Sequence, residues 1–153
     1  MEHRVRGVGE ILIAWAQQVD SGLTEVVGSS GQNARLVATT DVMDQVRVLN
    51  SDRRVHPAAP IVLAGAALET ALRGAVEQRQ LAIEGKGSIS SYAKTLRAAE
   101  LLSKQGVKDI EQMGGLRNAA AHGEFDDLSR ERAGLMEQQV NLLLTHLAAL
   151  LGD

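Results

Sequence analysis

The chain has no cysteine and very few aromatic residues. Of its 153 residues, one is Phe, one is Trp and one is Tyr. The lack of cysteine excludes disulfides and thiolate metal sites. With so few aromatic rings, the core must be built from Leu, Val, Ile, Ala and Met, which suits closely packed helices.

The sequence also lacks a run of basic residues, and its formal net charge is −3. A broad electrostatic surface for nucleic acid is therefore not expected. A small phosphate site is compatible with this composition, because net charge does not describe local potential. The four histidines show no H-x3-H spacing, so the sequence predicts no metal site and no cofactor; they are His3, His56, His122 and His146.

No targeting or membrane-spanning segment is evident. The apolar run at residues 11–16 is too short to cross a bilayer and leads directly into Gln17 and Gln18. We therefore expect a cytoplasmic protein without a membrane partner. The length favours a single domain over residues 1–153, with N-terminal helices in 1–58 and a core bundle in 59–153.

Helical periodicity dominates the sequence, and no strand-like alternation of useful length is found. The fold class that it predicts is all-α, a bundle of five or six helices with the third and last at its centre. The predicted helices cover about residues 4–20, 40–49, 59–80, 90–104, 107–122 and 128–151, and the predicted loops are 28–33, 50–57 and 85–88. Within 107–122, the pair Gly114-Gly115 either breaks the helix or only kinks it. The helix at 4–20 includes Trp15 as a packing anchor.

The last predicted helix has an unusually wide apolar face. This width fits either a central position in the bundle or a dimer interface. One seam follows a 4-3-4-3 spacing and further leucines widen it: Met136, Val140, Leu143, Leu147 and Leu150, with Leu135, Leu142, Leu144 and Leu151. His146 lies one residue from the seam, where a hydrogen-bonded structural histidine is expected.

Three chemically capable side chains lie in an alanine-rich stretch at residues 114–124. Asn118 and His122 are four residues apart and share a helical face, while Arg117 lies to one side of that face. Gly123 is placed to end the helix directly after the histidine. We therefore expect His122 in the last turn, near the surface.

These residue types suit phosphodiester cleavage by a neighbouring 2′-hydroxyl without a metal. The imidazole of His122 can transfer a proton near neutral pH, and the guanidinium of Arg117 matches a phosphate. The amide of Asn118 can orient a hydroxyl or a water. The alternative is that Arg117 and His122 are ordinary surface residues near a helix end, where cations are favoured.

The Arg-Asn-x3-His-Gly pattern, followed by a long amphipathic helix, resembles the HEPN family (higher eukaryotes and prokaryotes nucleotide-binding domain). The resemblance covers about residues 60–151. It implies an all-α bundle, usually dimeric, and many family members are metal-independent endoribonucleases. It assigns Arg117, Asn118 and His122 as site residues. A branch of the family linked to nucleotidyltransferases carries H-x-Y, whereas this chain has Glu124 at the tyrosine position, which disfavours that branch.

Glu69 follows the most apolar segment of the third predicted helix and has two explanations. With Arg73 and Glu77 it can form an exposed row of ion pairs at four-residue spacing. It can instead hold Arg117 or His122 in position, because a carboxylate beside a buried segment needs a partner. The sequence leaves both explanations open.

Two hypotheses for function follow from the sequence. The first is a HEPN-type endoribonuclease that cleaves RNA without a metal and could serve as a toxin or a phage-defence effector. Its expected partners are an RNA substrate, a second copy in a homodimer, and an antitoxin or another protein. The second is a non-catalytic HEPN-like module that dimerises and binds a partner protein or a nucleotide.

Overall fold

The computed structural model describes residues 24–152, which contain five α-helices and no strand. The all-α class predicted from the sequence is confirmed. The helices are α1 (Thr24–Ser51), α2 (Ala58–Gln78), α3 (Ile89–Ala98), α4 (Lys104–Ala121) and α5 (Arg130–Leu151), with a 3-10 turn at Phe125–Asp127. The chain divides into two compact units, Met1–Ala38 and Thr39–Asp153. The helix predicted at 4–20, with Trp15, lies outside the described residues.

Helix α2 is the centre of the second unit, because it packs extensively against α3, α4 and α5. Ile61, Leu68 and Leu72 on this helix are fully buried. By length and composition, α2 is apolar enough to cross a membrane. Its packing against three other helices accounts for that composition, since the core helix of a bundle is apolar nearly all round.

Among the described helices, α5 packs mainly on α2 and is less central than α2, contrary to the expectation for the last helix. Three residues of its predicted seam are buried, namely Met136, Val140 and Leu147, whereas Leu143 and Leu150 are only half-buried. Leu135 and Leu142 remain 54% and 72% exposed. His146 is also exposed, so the expected structural role for it is wrong.

Two predicted boundaries within α1 are wrong. The Gly- and Ser-rich segment 28–33 was expected to be a loop, and Thr40 and Asp41 were expected to start a helix, but α1 runs through both. Neither segment contains proline, and each Gly, Ser or Asn lowers helix stability by no more than about 1 kcal/mol. A helix that is already nucleated continues through such residues.

Helix α3 ends at Ala98, six residues before its predicted end. Glu100 adopts a left-handed conformation with φ of 63°, and the Leu101 N–H donates to the Leu96 carbonyl at 2.9 Å. This is the hydrogen bond of a Schellman motif, which usually uses glycine and was therefore not recognised. Ser103 then caps α4 by accepting from the Gly106 N–H, so Gly106 lies in the first turn of α4 instead of ending α3.

Candidate functional site at the end of helix α4

The C-terminal end of α4 carries Asn118 and His122. His122 is the C-cap residue, and its backbone N–H donates to the Asn118 carbonyl at 3.0 Å. Gly123 follows with φ of 75°, a left-handed conformation that glycine adopts without strain. The Glu124 N–H donates to the Ala119 carbonyl at 2.9 Å and completes the cap. The predicted helix end is thus confirmed, and the side chains of Asn118 and His122 are exposed.

Arg117 lies on the side of α4 that faces α2, and its aliphatic stem crosses the α2 backbone at Gly65. A Cβ atom added to Gly65 would lie 2.9 Å from Cβ and 3.4 Å from Cδ of Arg117, and closer still to Cγ. Real Cβ atoms essentially never approach other atoms under 3.0 Å. The stem of Arg117 therefore occupies the space that any side chain at position 65 would need.

The guanidinium of Arg117 contacts Glu69, one helical turn after Gly65 on α2. Its Nη2 atom lies 3.7 Å from Oε2 of Glu69, and the two side chains are 36% and 30% exposed. On the other side, Nη1 donates to Oδ1 of Asn118 at 3.3 Å. Of the two explanations that the sequence left open for Glu69, this contact supports the one in which it holds Arg117.

Arg117 and His122 differ in their surroundings although they share the last two turns of α4. They are five positions apart, which corresponds to about 7.5 Å along the helix axis. Arg117 is fixed between Gly65, Glu69 and Asn118, whereas His122 lies exposed at the helix end. The structure thus combines a positioned cation with an accessible imidazole on one short segment.

The connection between α1 and α2 meets the connection between α4 and α5 near this helix end. The His56 ring lies 4.6 Å from the Phe125 ring, centroid to centroid, and its Nδ1 accepts from the Ala58 N–H at 3.0 Å. Arg130 donates to the carbonyls of Asp52, Arg53 and Val55. These contacts fix residues 52–57 against the segment that follows His122.

The charges around this end of the bundle are mixed. The Arg54 side chain donates two hydrogen bonds to the carboxylate of Asp52, at 3.1 Å each, and these bonds lower the pKa of Asp52. The Arg54 backbone N–H and the charge of Arg130 act in the same direction, and the pKa of Arg54 is raised in return. Three exposed carboxylates also follow His122 in the chain, namely Glu124, Asp126 and Asp127.

An open cleft of about 470 Å³ lies between α4 and α5, away from the side of α4 that carries Arg117. Its lining includes Met113, Leu116, Arg132, Leu135 and Gln139. The lining does not include Arg117, Asn118 or His122, so these three side chains do not face this cleft. Within the described part of the chain, no three His, Asp or Glu side chains converge in a way that could hold a metal ion.

Gly65 is the contact residue that sequence reasoning missed. It lies within the apolar segment 61–68, where a glycine is unremarkable among alanines. A glycine inside a helix lowers stability by roughly 0.5–1 kcal/mol relative to alanine, and a close approach of another group is one reason for such a glycine. The sequence does not show that this group is Arg117, because the two residues are 52 positions apart.

Comparison of the chain with protein-family models, with curated proteins and with solved structures finds no match. The resemblance to the HEPN family therefore rests on Arg117, Asn118 and His122 and on their helical context.

Proposed function

We propose that the protein is a metal-independent endoribonuclease of the HEPN type that acts in the cytoplasm. The observation that supports this most is the arrangement at the end of α4. Arg117 is held by Glu69 and Asn118 yet stays about one-third exposed, and His122 is exposed at the helix end. Preorganised cations stabilise developing charge better than mobile ones do.

In the proposed reaction, the 2′-oxygen of a ribose forms a bond to the adjacent phosphorus, and the bond from phosphorus to the 5′-oxygen of the next nucleotide breaks. The 2′-hydroxyl loses a proton, and the leaving 5′-oxygen gains one. The products are a 2′,3′-cyclic phosphate and a 5′-hydroxyl. No water is consumed in this step, and no metal is needed.

Each motif residue has a role in this scheme. His122 accepts or donates a proton at one of the two oxygens, which is the general acid and base role that imidazole serves in catalysis. Arg117 stabilises the additional negative charge on the phosphorane-like transition state. Asn118 accepts from Arg117 through Oδ1, which leaves its amide NH₂ to orient a reacting hydroxyl.

One imidazole serves only one of the two proton transfers at a time. A homodimer with a two-fold axis near the motif would place a second Arg117 and a second His122 beside the first set. The resemblance to the HEPN family implies such a dimer, and the exposed Leu135 and Leu142 on α5 offer an apolar surface for it. We therefore propose that the active form is a homodimer.

The test is incubation of the purified protein with total RNA in EDTA, beside the His122→Ala variant. Cleavage by the parent protein is expected to survive chelation and to leave cyclic or 3′-phosphate ends, and the variant is expected to be inactive. Loss of cleavage in EDTA with recovery on adding a divalent ion would rule out the metal-free mechanism. Equal cleavage by His122→Ala would rule out the proposed role of the imidazole.

A second candidate function is a non-catalytic module that binds a partner protein, an antitoxin being one such partner. The observation in its favour is the acidic segment after His122, where Glu124, Asp126 and Asp127 are all exposed. These carboxylates repel an RNA backbone but would attract a basic protein surface. Parent protein that leaves total RNA intact under all conditions would favour this second function.

A further inference from the structure

Gly65 lies in the middle of α2 and is buried, but its backbone does not require glycine. It is not among the glycines with positive φ, which are Gly85 and Gly123 within the described residues. Alanine would therefore fit the backbone conformation and would favour the helix. The reason for glycine at position 65 is therefore the group from another helix that packs against α2 there.

The group that packs there is the stem of Arg117. An added Cβ at position 65 would approach Cβ, Cγ and Cδ of Arg117, all of them within 3.4 Å. At Gly134 on α5, by contrast, an added Cβ would have no neighbour within 4 Å. At Gly106 and Gly114 on α4, an added Cβ would come no closer than 3.2 Å to its nearest neighbour, so the approach at Gly65 is the closest of these four.

Gly65 and Glu69 lie four residues apart, on the same face of α2. Gly65 lets the first three side-chain carbons of Arg117 lie against the helix backbone, and Glu69 contacts the guanidinium at their far end. Gly65 thus sets how closely the Arg117 stem approaches α2, and Glu69 sets the position of the guanidinium. A methyl group at position 65 would push the stem away and carry the guanidinium out of reach of Glu69.

We propose that Gly65 is a positioning residue, which fixes the Arg117 guanidinium where it can contact a phosphate of the RNA. This inference rests on the proposed function for its phosphate ligand. The positioning itself depends only on the packing of Arg117 against α2. A displacement of about 1 Å in a group that stabilises the transition state can lower a rate about 10²-fold.

The test compares Gly65→Ala with Gly134→Ala as a matched control, since both replace a helical glycine by alanine. Two quantities are measured: the rate of RNA cleavage and the NMR signal of the Arg117 Nε–H group, assigned with Arg117→Ala. Gly65→Ala is expected to shift the Arg117 signal and to lower the rate about 10²-fold, and Gly134→Ala is expected to change neither. An unchanged rate or an unchanged signal in Gly65→Ala overturns the proposal.

RNA cleavage by the parent protein distinguishes a failure of the proposed function from a failure of the positioning proposal. If the parent cleaves no RNA, the endoribonuclease proposal fails, and the Arg117 signal alone decides the positioning. A shifted signal in Gly65→Ala then supports it, and an unchanged signal overturns it.

A further variant covers the case in which Gly65→Ala folds poorly. Arg117→Ala removes Cγ, the atom nearest to the new methyl group, together with Cδ, and leaves only the 2.9 Å approach to Cβ. The double variant Gly65→Ala/Arg117→Ala is therefore expected to melt at a higher temperature than Gly65→Ala alone. If adding Arg117→Ala brings no such recovery, the steric conflict does not involve the Arg117 stem beyond Cβ and the proposal is overturned.

Discussion

The guanidinium of Arg117 lies 3.7 Å from the carboxylate of Glu69, and both side chains are about one-third exposed. This pair joins α4 to the central helix α2. A contact at 3.7 Å between partly solvated groups is a loose ion pair, and a phosphate could replace the carboxylate as the ligand of Arg117. In the proposed function, Glu69 would thus hold the Arg117 side chain in place before RNA binds, without preventing a contact between Arg117 and a phosphate.

Replacing Glu69 by Gln tests this role. The substitution keeps an acceptor but removes the negative charge that holds Arg117. We expect kcat for RNA cleavage to fall by roughly one order of magnitude, because the guanidinium is less well positioned. KM is not expected to rise, because the unpaired cation attracts phosphate at least as well. Steady-state kinetics measures both parameters.

Glu77→Gln is the matched control for this variant, since it removes the same charge from the same helix eight residues later. We expect its kinetics to match those of the parent. If Glu69→Gln and Glu77→Gln behave alike, Glu69 has no specific role toward Arg117.

The loss of stability in Arg117→Ala is expected to show whether Arg117 serves function or holds the fold together. Because the ion pair with Glu69 is partly exposed, its loss should lower the free energy of unfolding by about 1 kcal/mol or less, and the lost packing of the stem on Gly65 adds to this. A fully buried pair would instead cost roughly 3–5 kcal/mol. Leu72→Ala, at a fully buried position of α2, should cost about 2–5 kcal/mol through lost burial and a cavity.

Denaturant unfolding of the parent and the two variants measures these differences. If Arg117→Ala destabilises the protein as much as Leu72→Ala does, the arginine is a structural element of the bundle. Combined with intact RNA after incubation with the parent, that result would leave the binding-module function.

The proposed homodimer can be tested on α5. Leu142 is 72% exposed, and Leu135 lies two turns earlier on the same face at 54%. We expect the parent to be a dimer by light scattering at micromolar concentration and Leu142→Glu to be a monomer, because a charge in an apolar interface is costly. Asn141→Glu, an exposed polar neighbour that points away from this face, is the control and should remain dimeric. A monomeric parent would contradict the prediction.

The sequence predicted the helical class, the end of α4 at Gly123 and the apolar core of α2, because these depend on local periodicity and capping. It failed at Glu100, where a non-glycine residue adopts the left-handed conformation that usually marks glycine. It also failed at residues 28–33, where helix propensity is a weak guide. At the candidate site, Arg117, Asn118 and His122 were chosen by their spacing. The packing of the Arg117 side chain against Gly65 could not be predicted, because it depends on how α2 and α4, which are far apart in the sequence, pack together.

The last prediction concerns the pH dependence of the 52–57 connection. The Arg54 side chain lowers the pKa of Asp52 by donating to its carboxylate, and the Arg54 backbone N–H and Arg130 add to this effect. A carboxyl group whose pKa is lower in the folded state stabilises that state at pH values above its unfolded pKa. This contribution is lost as the pH falls through the folded pKa.

Arg54→Ala should therefore raise the pKa of Asp52 toward its ordinary value of 3.8. It should also weaken the dependence of stability on pH in the acid range. An NMR titration of the Asp52 carboxyl carbon measures the pKa directly, and thermal melts between about pH 2 and pH 5 measure the linked stability. Arg53→Ala, which removes a neighbouring exposed arginine, is the control and should leave the Asp52 titration nearly unchanged. If the pKa of Asp52 is the same in the parent and in Arg54→Ala, the two hydrogen bonds from Arg54 do not persist in solution.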